Sequence, residues 1–338
     1  MTMLRAYAQL VRLPNVFTAW ADVLLGGIAA LVSNFGLRFT SLELVVAAWV
    51  LLLLASSCLY MGGMALNDFF DAAVDLRERP QRPIPSGRVS RRTAGILGFA
   101  LLLIGWVLGL GLVNVSVDAN VGNPALLYDS FRNEWIMELP DLGQRVGFWL
   151  ATPLAVCIVL YNAWAKHSPV GPVVMGLCRA LNVGLGLSLI GWIGVYWLML
   201  YLAPVVGLYI AGVTVFASKE AEQSPRGTLL FGGAIMALAI GLAGHPAVYR
   251  DWLPQHMGNW STLYVALLGL WTLVIAVPAA RAISEPSPAR VQAAVKTCIL
   301  GLIGLDAILA FGLAGWPGLL ILLLLVPALL IGRWVYST

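Results

Sequence analysis

The chain has 338 residues, 60% of them hydrophobic and only 11% charged, whereas a soluble domain carries about 25% charged residues. With a mean hydropathy of +0.87 it cannot cover a water-facing surface, which excludes a cytosolic enzyme, a secreted disulfide scaffold and a disordered tail protein. A net charge of +4 would point a soluble chain towards nucleic acid. In a membrane protein the placement of Lys and Arg carries the information instead, and no nucleic-acid partner is expected.

The lead segment, with Gln9, Arg12 and Pro14, shows no cleavage-site pattern, so the first apolar run is read as a retained helix rather than a signal peptide. Apolar runs then predict spans near 15–33, 44–66, 93–114, 147–164, 170–190, 196–217, 228–247, 261–280, 293–312 and 316–336. The last two can form one broken hairpin, so the expectation is nine or ten helices. A lipid-exposed backbone must satisfy itself, which leaves helices or a closed barrel. Runs without period-2 alternation exclude the barrel. The expected architecture is therefore an all-α polytopic membrane protein, a single transmembrane domain over 1–338 with a loop insertion at 115–146.

Basic residues set the expected orientation. Arg5, Arg12, Arg77, Arg79, Arg82, Arg88, Arg91, Arg92, Lys166, Lys219, Arg226, Arg281, Arg290, Lys296 and Arg333 fall on one side of a ten-span layout. Only Arg38, Arg132, Arg145 and Arg250 fall on the other. The first side is read as cytoplasmic, in what is expected to be a bacterial inner membrane. The 115–146 loop lies outside, as a cap with one short helix near 129–138. The cysteines Cys58, Cys157, Cys178 and Cys298 sit in apolar runs without metal-type spacing and are read as buried spectators.

Along the first span, Asn15, Thr18 and Asp22 recur at i, i+3 and i+7 and form a polar stripe. The second span ends in Asn67-Asp68-Phe69-Phe70-Asp71-Ala72-Ala73-Val74-Asp75. Asp68, Asp71 and Asp75 fall within a sector of roughly 60° on a helix, and three carboxylates on one face repel unless a cation lies between them. All-oxygen ligands suit Mg²⁺, which takes one or two carboxylates, waters and substrate phosphate oxygens; Asn67 adds a neutral oxygen and a donor. The following Arg77-Glu78-Arg79-Pro80-Gln81-Arg82-Pro83 stretch pairs phosphate-binding guanidinium groups with prolines that stiffen the loop. Carboxylates beside such a loop make a diphosphate site. The bland alternative is a topology-setting loop whose arginines pair with the aspartates.

These residues resemble the first aspartate-rich motif of the UbiA superfamily of membrane prenyltransferases, in Asn67-Asp68-x-x-Asp71-x-x-x-Asp75 and Arg79-Pro80-x-Arg82-Pro83-x-x-Ser86-Gly87-x-x-Ser90. Arg12-x-Pro14-Asn15 and the Tyr161-x-x-x-x-Lys166 element add to the likeness. The resemblance implies a helical bundle with a central cavity open to lipid, in which Mg²⁺ holds a prenyl diphosphate at the cytoplasmic end. Where the family has a second aspartate-rich motif, this chain reads Ser218-Lys219-Glu220-Ala221-Glu222. Glu220 and Glu222 are about 200° apart on a helix, so both cannot face one cavity, and Lys219 is a direct contact for diphosphate. Cys178-Arg179-Ala180-Leu181-Asn182 and Ser218-Lys219-Glu220 resemble the divergent UbiA-like members of ebo gene clusters.

Arg179 stands within the fifth span with Asn182 one turn on, and an ionisable group at that depth is a functional candidate by default. It either lines the cavity, reaching diphosphate or an anionic acceptor, or pairs with Asp22 or Asp306 to hold helices together. The expected activity is Mg²⁺-dependent prenyl transfer to an aromatic, quinone-precursor or lipid acceptor, with release of diphosphate. A lipophilic-metabolite carrier without transfer is the alternative. Asp68, Asp71, Asp75 and Asn67 are assigned to catalysis, the three aspartates also to the metal. Arg79, Arg82, Lys166, Tyr161, Arg179, Asn15, Asp22, Lys219, Glu220 and Asn182 are assigned to substrate.

Overall fold

The computed structural model describes residues 3–33, 38–39, 42–110, 117–118, 128–129, 134–135, 140–190, 196–220, 223–245 and 260–336. The helices are α1 (Met3–Leu10), α2 (Val16–Ser33), α3 (Leu42–Glu78), α4 (Arg91–Gly109), α5 (Pro140–Ala163) and α6 (Gly171–Leu187). They continue with α7 (Tyr196–Ala217), α8 (Arg226–Ala243), α9 (Trp260–Ser284), α10 (Pro288–Ala314) and α11 (Leu325–Tyr336), the last entered through a 3₁₀ segment, Trp316–Leu324. Helical segments therefore stand at all ten expected spans. Eight are long and apolar enough to cross a membrane, while Trp149–Ala163 and Gly171–Leu187 are shorter apolar helices. The chain is an integral, multi-pass membrane protein.

Two short antiparallel pairs complete the described structure, Arg38–Phe39 with Val117–Asp118 and Tyr128–Asp129 with Glu134–Trp135. The second pair corrects the short helix expected near 129–138: the described residues there are extended, and the remainder of that segment lies outside the described residues. The amphipathic helix α1, not anticipated, buries Ala6, Ala8 and Leu10.

Helix α3 is longer than its predicted span, at 37 residues or about 55 Å. Its final turns carry the aspartates in unbroken helical register beyond the apolar run. Helix α2 packs on α3, α6 and α10, and α6 on α7. The approach of α2 to α6 is set by glycines: a Cβ on Gly26 would collide with the Val183 carbonyl, and one on Gly186 with that of Val23. Small residues let membrane helices pack backbone to backbone, and this contact brings Asp22 of α2 against Arg179 of α6. One apolar cluster joins α2 to α6 through α10, and a second joins α2, α3, α5 and α6. The cavity lies between them.

Candidate active site

A cavity of about 760 Å³ is lined by α2, α3, α5, α6, α7 and α10. One face of α3 supplies Tyr60, Met64, Asn67, Asp71, Asp75 and Glu78, successive members of one helical stripe. At the end formed by the last turns of α3, the charges are paired across elements. Lys166, on the 3₁₀ turn Ala165–His167 that follows α5, places Nζ 2.6 Å from Asp71. The Asn67 amide donates to the other Asp71 oxygen at 3.3 Å, and His167 Nε2 stands 3.7 Å away. Arg79 lies 3.6 Å from Glu220, across the cavity mouth at the end of α7.

Asp68 does not join this face. It is absent from the cavity wall, is bound by Arg82 at 3.3 Å and is approached by Arg12 at 3.9 Å, although it is no more buried than Asp75. Arg82 also donates to Asp75 at 2.7 Å. Of the three carboxylates expected at the metal, Asp71 and Asp75 therefore line the wall and Asp68 does not. Among the described residues, no three His, Cys, Asp or Glu side chains form a ready metal cluster. Arg82, expected at substrate, instead braces Asp68 and Asp75 from behind. The loop that delivers it is closed by Arg82 N–H to the Arg79 carbonyl at 3.0 Å, Val89 N–H to Pro83 at 3.0 Å, and a left-handed Gly87 at φ 73°.

Arg12, noted in the sequence only as part of the Arg12-x-Pro14-Asn15 likeness and not assigned to the site, is a further site residue. It lines the cavity and donates to Asn67 Oδ1 at 3.2 Å. Its backbone is left-handed, φ 48° and ψ 49°, a conformation that costs a non-glycine residue about 1 kcal/mol or more and is typical of functional sites. Pro14 follows at the start of the next turn, and the bend aims the guanidinium at α3. Burial works against the charge of Arg12, but Asp68 together with Tyr60, Tyr336 and Glu220 outweighs it, and its pKa lies above the ordinary arginine value.

The inner end differs. Arg179 lines the cavity, binds Asp22 at 3.0 Å and Thr18 Oγ1 at 2.9 Å, and lies over the Tyr60 ring at 5.5 Å. Asn182 donates to Asp22 at 3.0 Å and to the Ala19 carbonyl at 2.8 Å, and accepts from Ser56 at 2.9 Å. Asp22 itself is fully buried behind Arg179 and does not reach the cavity. Asn15, Asn182, Tyr161, Arg79, Lys166 and Glu220 line it as anticipated. Lys219, expected to contact diphosphate, is exposed and is not on the cavity wall, although its neighbours Ser218 and Glu220 are. Glu222 lies outside the described residues. Tyr60, Ser56 and Glu78, also on the wall, carry no local signal in the sequence and are found only through packing.

Residues 17–119, which hold α2, α3 and the aspartate stretch, match the UbiA prenyltransferase family. A digeranylgeranylglyceryl phosphate synthase of Ignicoccus hospitalis is 37% identical over 125 residues, 37% of this chain and 37% of that one. The chain thus aligns with about a third of the length of this curated relative. A solved digeranylgeranylglyceryl phosphate synthase superposes over 93% of this chain and 99% of its own, with a TM-score of 0.57 at 19% identity. A UbiA homologue from Archaeoglobus fulgidus bound to GPP and Mg²⁺ superposes over 90% and 99%, with a TM-score of 0.51 at 16% identity. The chain has the fold of UbiA homologues along most of its length, and its residues 17–119 carry the UbiA prenyltransferase family pattern.

Proposed function

We propose that the protein is a membrane prenyltransferase that moves an isoprenoid group from a prenyl diphosphate to a lipophilic acceptor and releases diphosphate. The observation that carries this reading is the polarity of the cavity: paired Asp71, Asp75, Lys166, Arg79 and Arg12 at one end, apolar walls from Leu59, Ile158, Ile210 and Val295 beyond. A diphosphate head with an allylic tail matches that division. The names of the matched relatives, digeranylgeranylglyceryl phosphate synthases, and the GPP and Mg²⁺ bound by the A. fulgidus homologue agree with it.

The donor set fits Mg²⁺. Asp71 and Asp75 are hard oxygen ligands on the wall, and Mg²⁺ completes its shell with waters and substrate phosphates rather than with an all-protein cage. Bound there, it supplies neutralisation of charge on the leaving diphosphate. Lys166, Arg79 and Arg12 add fixed positive charge where negative charge develops, the preorganised stabilisation that lowers such barriers. Lys166, held on Asp71 at 2.6 Å, would be placed to meet a phosphate oxygen if Asp71 held the metal. Tyr60 and Tyr161 line the same space, and aromatic rings stabilise cations at close range. Glu220, in the turn that follows α7, adds a carboxylate to the wall opposite Arg79.

The aspartate end is cytoplasmic in this reading. The basic residues assigned to that side on sequence meet there: Arg5 donates to the Val335 carbonyl at 3.0 Å, Arg88 to Gln9 at 2.7 Å and Arg226 to the Ser284 carbonyl at 2.8 Å. The test of function is to supply prenyl diphosphates and a lipid extract to the purified chain, with and without Mg²⁺. Mg²⁺-dependent diphosphate release with a prenylated lipid-soluble product supports transfer; saturable binding with no release across all donors would overturn it in favour of a carrier.

A further inference from the structure

Arg179 has more hydrogen-bonding capacity than its protein partners take up. A guanidinium carries five N–H donors. Nη1 gives one to Asp22 Oδ2 at 3.0 Å and Nη2 gives one to Thr18 Oγ1 at 2.9 Å, its only hydrogen bonds among the described residues. Both partners lie behind it: Asp22 and Thr18 are fully buried and do not belong to the cavity wall, whereas Arg179 does. No Arg179 nitrogen is a buried atom lacking a partner, so the spare donors are open to a molecule in the cavity. The neighbouring amide has nothing to spare. Asn182 donates to the Ala19 carbonyl at 2.8 Å and to Asp22 at 3.0 Å, and its oxygen accepts from Ser56 at 2.9 Å. Thr18 in turn donates to the Asn15 carbonyl at 2.7 Å.

The charge of this end is already balanced, because Arg179 and Asp22 form an ion pair that is neutral as a unit. A carboxylate or phosphate placed on Arg179 would stand as an uncompensated anion beside Asp22 in an apolar part of the chain, where such a charge is costly. An uncharged oxygen brings no charge, and its lone pairs accept the spare N–H groups. We infer that the inner end binds the head group of the acceptor, and that Arg179 selects an uncharged head bearing an oxygen acceptor, such as a phenol, a quinone carbonyl or an ester, over an anionic one. Tyr60, whose ring centroid lies 5.5 Å from the guanidinium carbon, lines the same space. It stands on α3 at about 16 Å of helical rise from Asp71, so the head and the diphosphate occupy different ends of the cavity.

That this head belongs to the acceptor rests on the prenyltransferase reading; the preference for an uncharged head does not. The test is equilibrium binding to the full chain in phosphatidylcholine nanodiscs, with empty discs as the blank. Two probes that differ in charge are compared, methyl 1-hydroxy-2-naphthoate and 1-hydroxy-2-naphthoate. The parent should bind the ester saturably and at least about tenfold more tightly than the acid. Asp22→Asn, which leaves the charge of Arg179 unbalanced, should turn the preference towards the acid. Arg179→Gln combined with Asp22→Asn stays neutral without the guanidinium, and should weaken ester binding about tenfold. Acid bound by the parent as tightly as ester, no saturable binding of either, or ester binding untouched in the double variant would each overturn the inference. These comparisons decide it even where Asp22→Asn alone does not fold. Geranyl diphosphate binding by the parent, with and without Mg²⁺, is measured alongside. Its failure with the ester pattern intact would remove the prenyltransferase reading and leave the site.

Discussion

The two ends of the cavity hold their charged groups in different styles. At the mouth, Asp71 is 16% exposed and faces Lys166 and His167 on a turn, while Arg79 and Glu220 meet across a gap of 3.6 Å with about 30% of each side chain exposed. At the inner end Asp22 is fully buried and Arg179 is 12% exposed, and their bond is reinforced by Thr18 and Asn182. Exposed pairs contribute little to stability and separate readily, whereas removing one partner of a buried pair leaves an uncompensated charge. At the mouth it is the Arg79–Glu220 pair that is free to exchange partners, as the proposed function requires, whereas the Arg179–Asp22 pair of the inner end stays fixed.

Substitutions break this contrast in a defined order. Asp71→Ala has the largest expected effect: it abolishes Mg²⁺-dependent turnover, on the order of 10³-fold or more, while size-exclusion profiles in detergent remain those of the folded parent. Arg179→Leu acts on stability instead. It strands Asp22 and lowers thermal stability by about 3–5 kcal/mol, measured by unfolding in matched detergent. Arg82→Ala lies between the two styles, because this guanidinium binds both buried Asp68 and wall-lining Asp75. A loss of about 1.5–3 kcal/mol in stability together with weakened metal activation is expected, and an effect on only one of the two would show that the brace is not shared. Lys166→Met should raise the donor KM roughly tenfold with a smaller fall in kcat, read from steady-state kinetics. Lys219→Ala is the smallest: exposed and off the wall, it should alter stability by no more than about 0.5 kcal/mol and leave the donor KM in place.

Much of this arrangement is legible in the sequence, and the gaps have physical causes. Hydropathy runs locate the membrane helices because length and apolarity are local properties. The Asn67–Asp75 spacing places carboxylates on one side of α3 for the same reason. It does not say which way that side faces. The wall-lining stripe runs through Tyr60, Met64, Asn67, Asp71 and Glu78, and Asp68 lies roughly a quarter turn from its centre, where Arg82 and Arg12 take it. Arg179 is conspicuous from sequence as a charge at depth, with Asp22 and Asp306 as its possible partners. That Asp22 is the one it pairs with depends on the glycine-mediated approach of α2 to α6. Arg12 owes its role to a left-handed backbone turn that no spacing rule reveals.

The most direct test of the central claim is equilibrium binding of geranyl diphosphate to the purified chain in lipid nanodiscs, with and without Mg²⁺, for the parent and Asp71→Ala. The account predicts saturable binding that Mg²⁺ strengthens in the parent and no longer strengthens in Asp71→Ala. Binding that ignores Mg²⁺ in both proteins would contradict it, and would leave the carboxylates of α3 as partners of the basic residues alone.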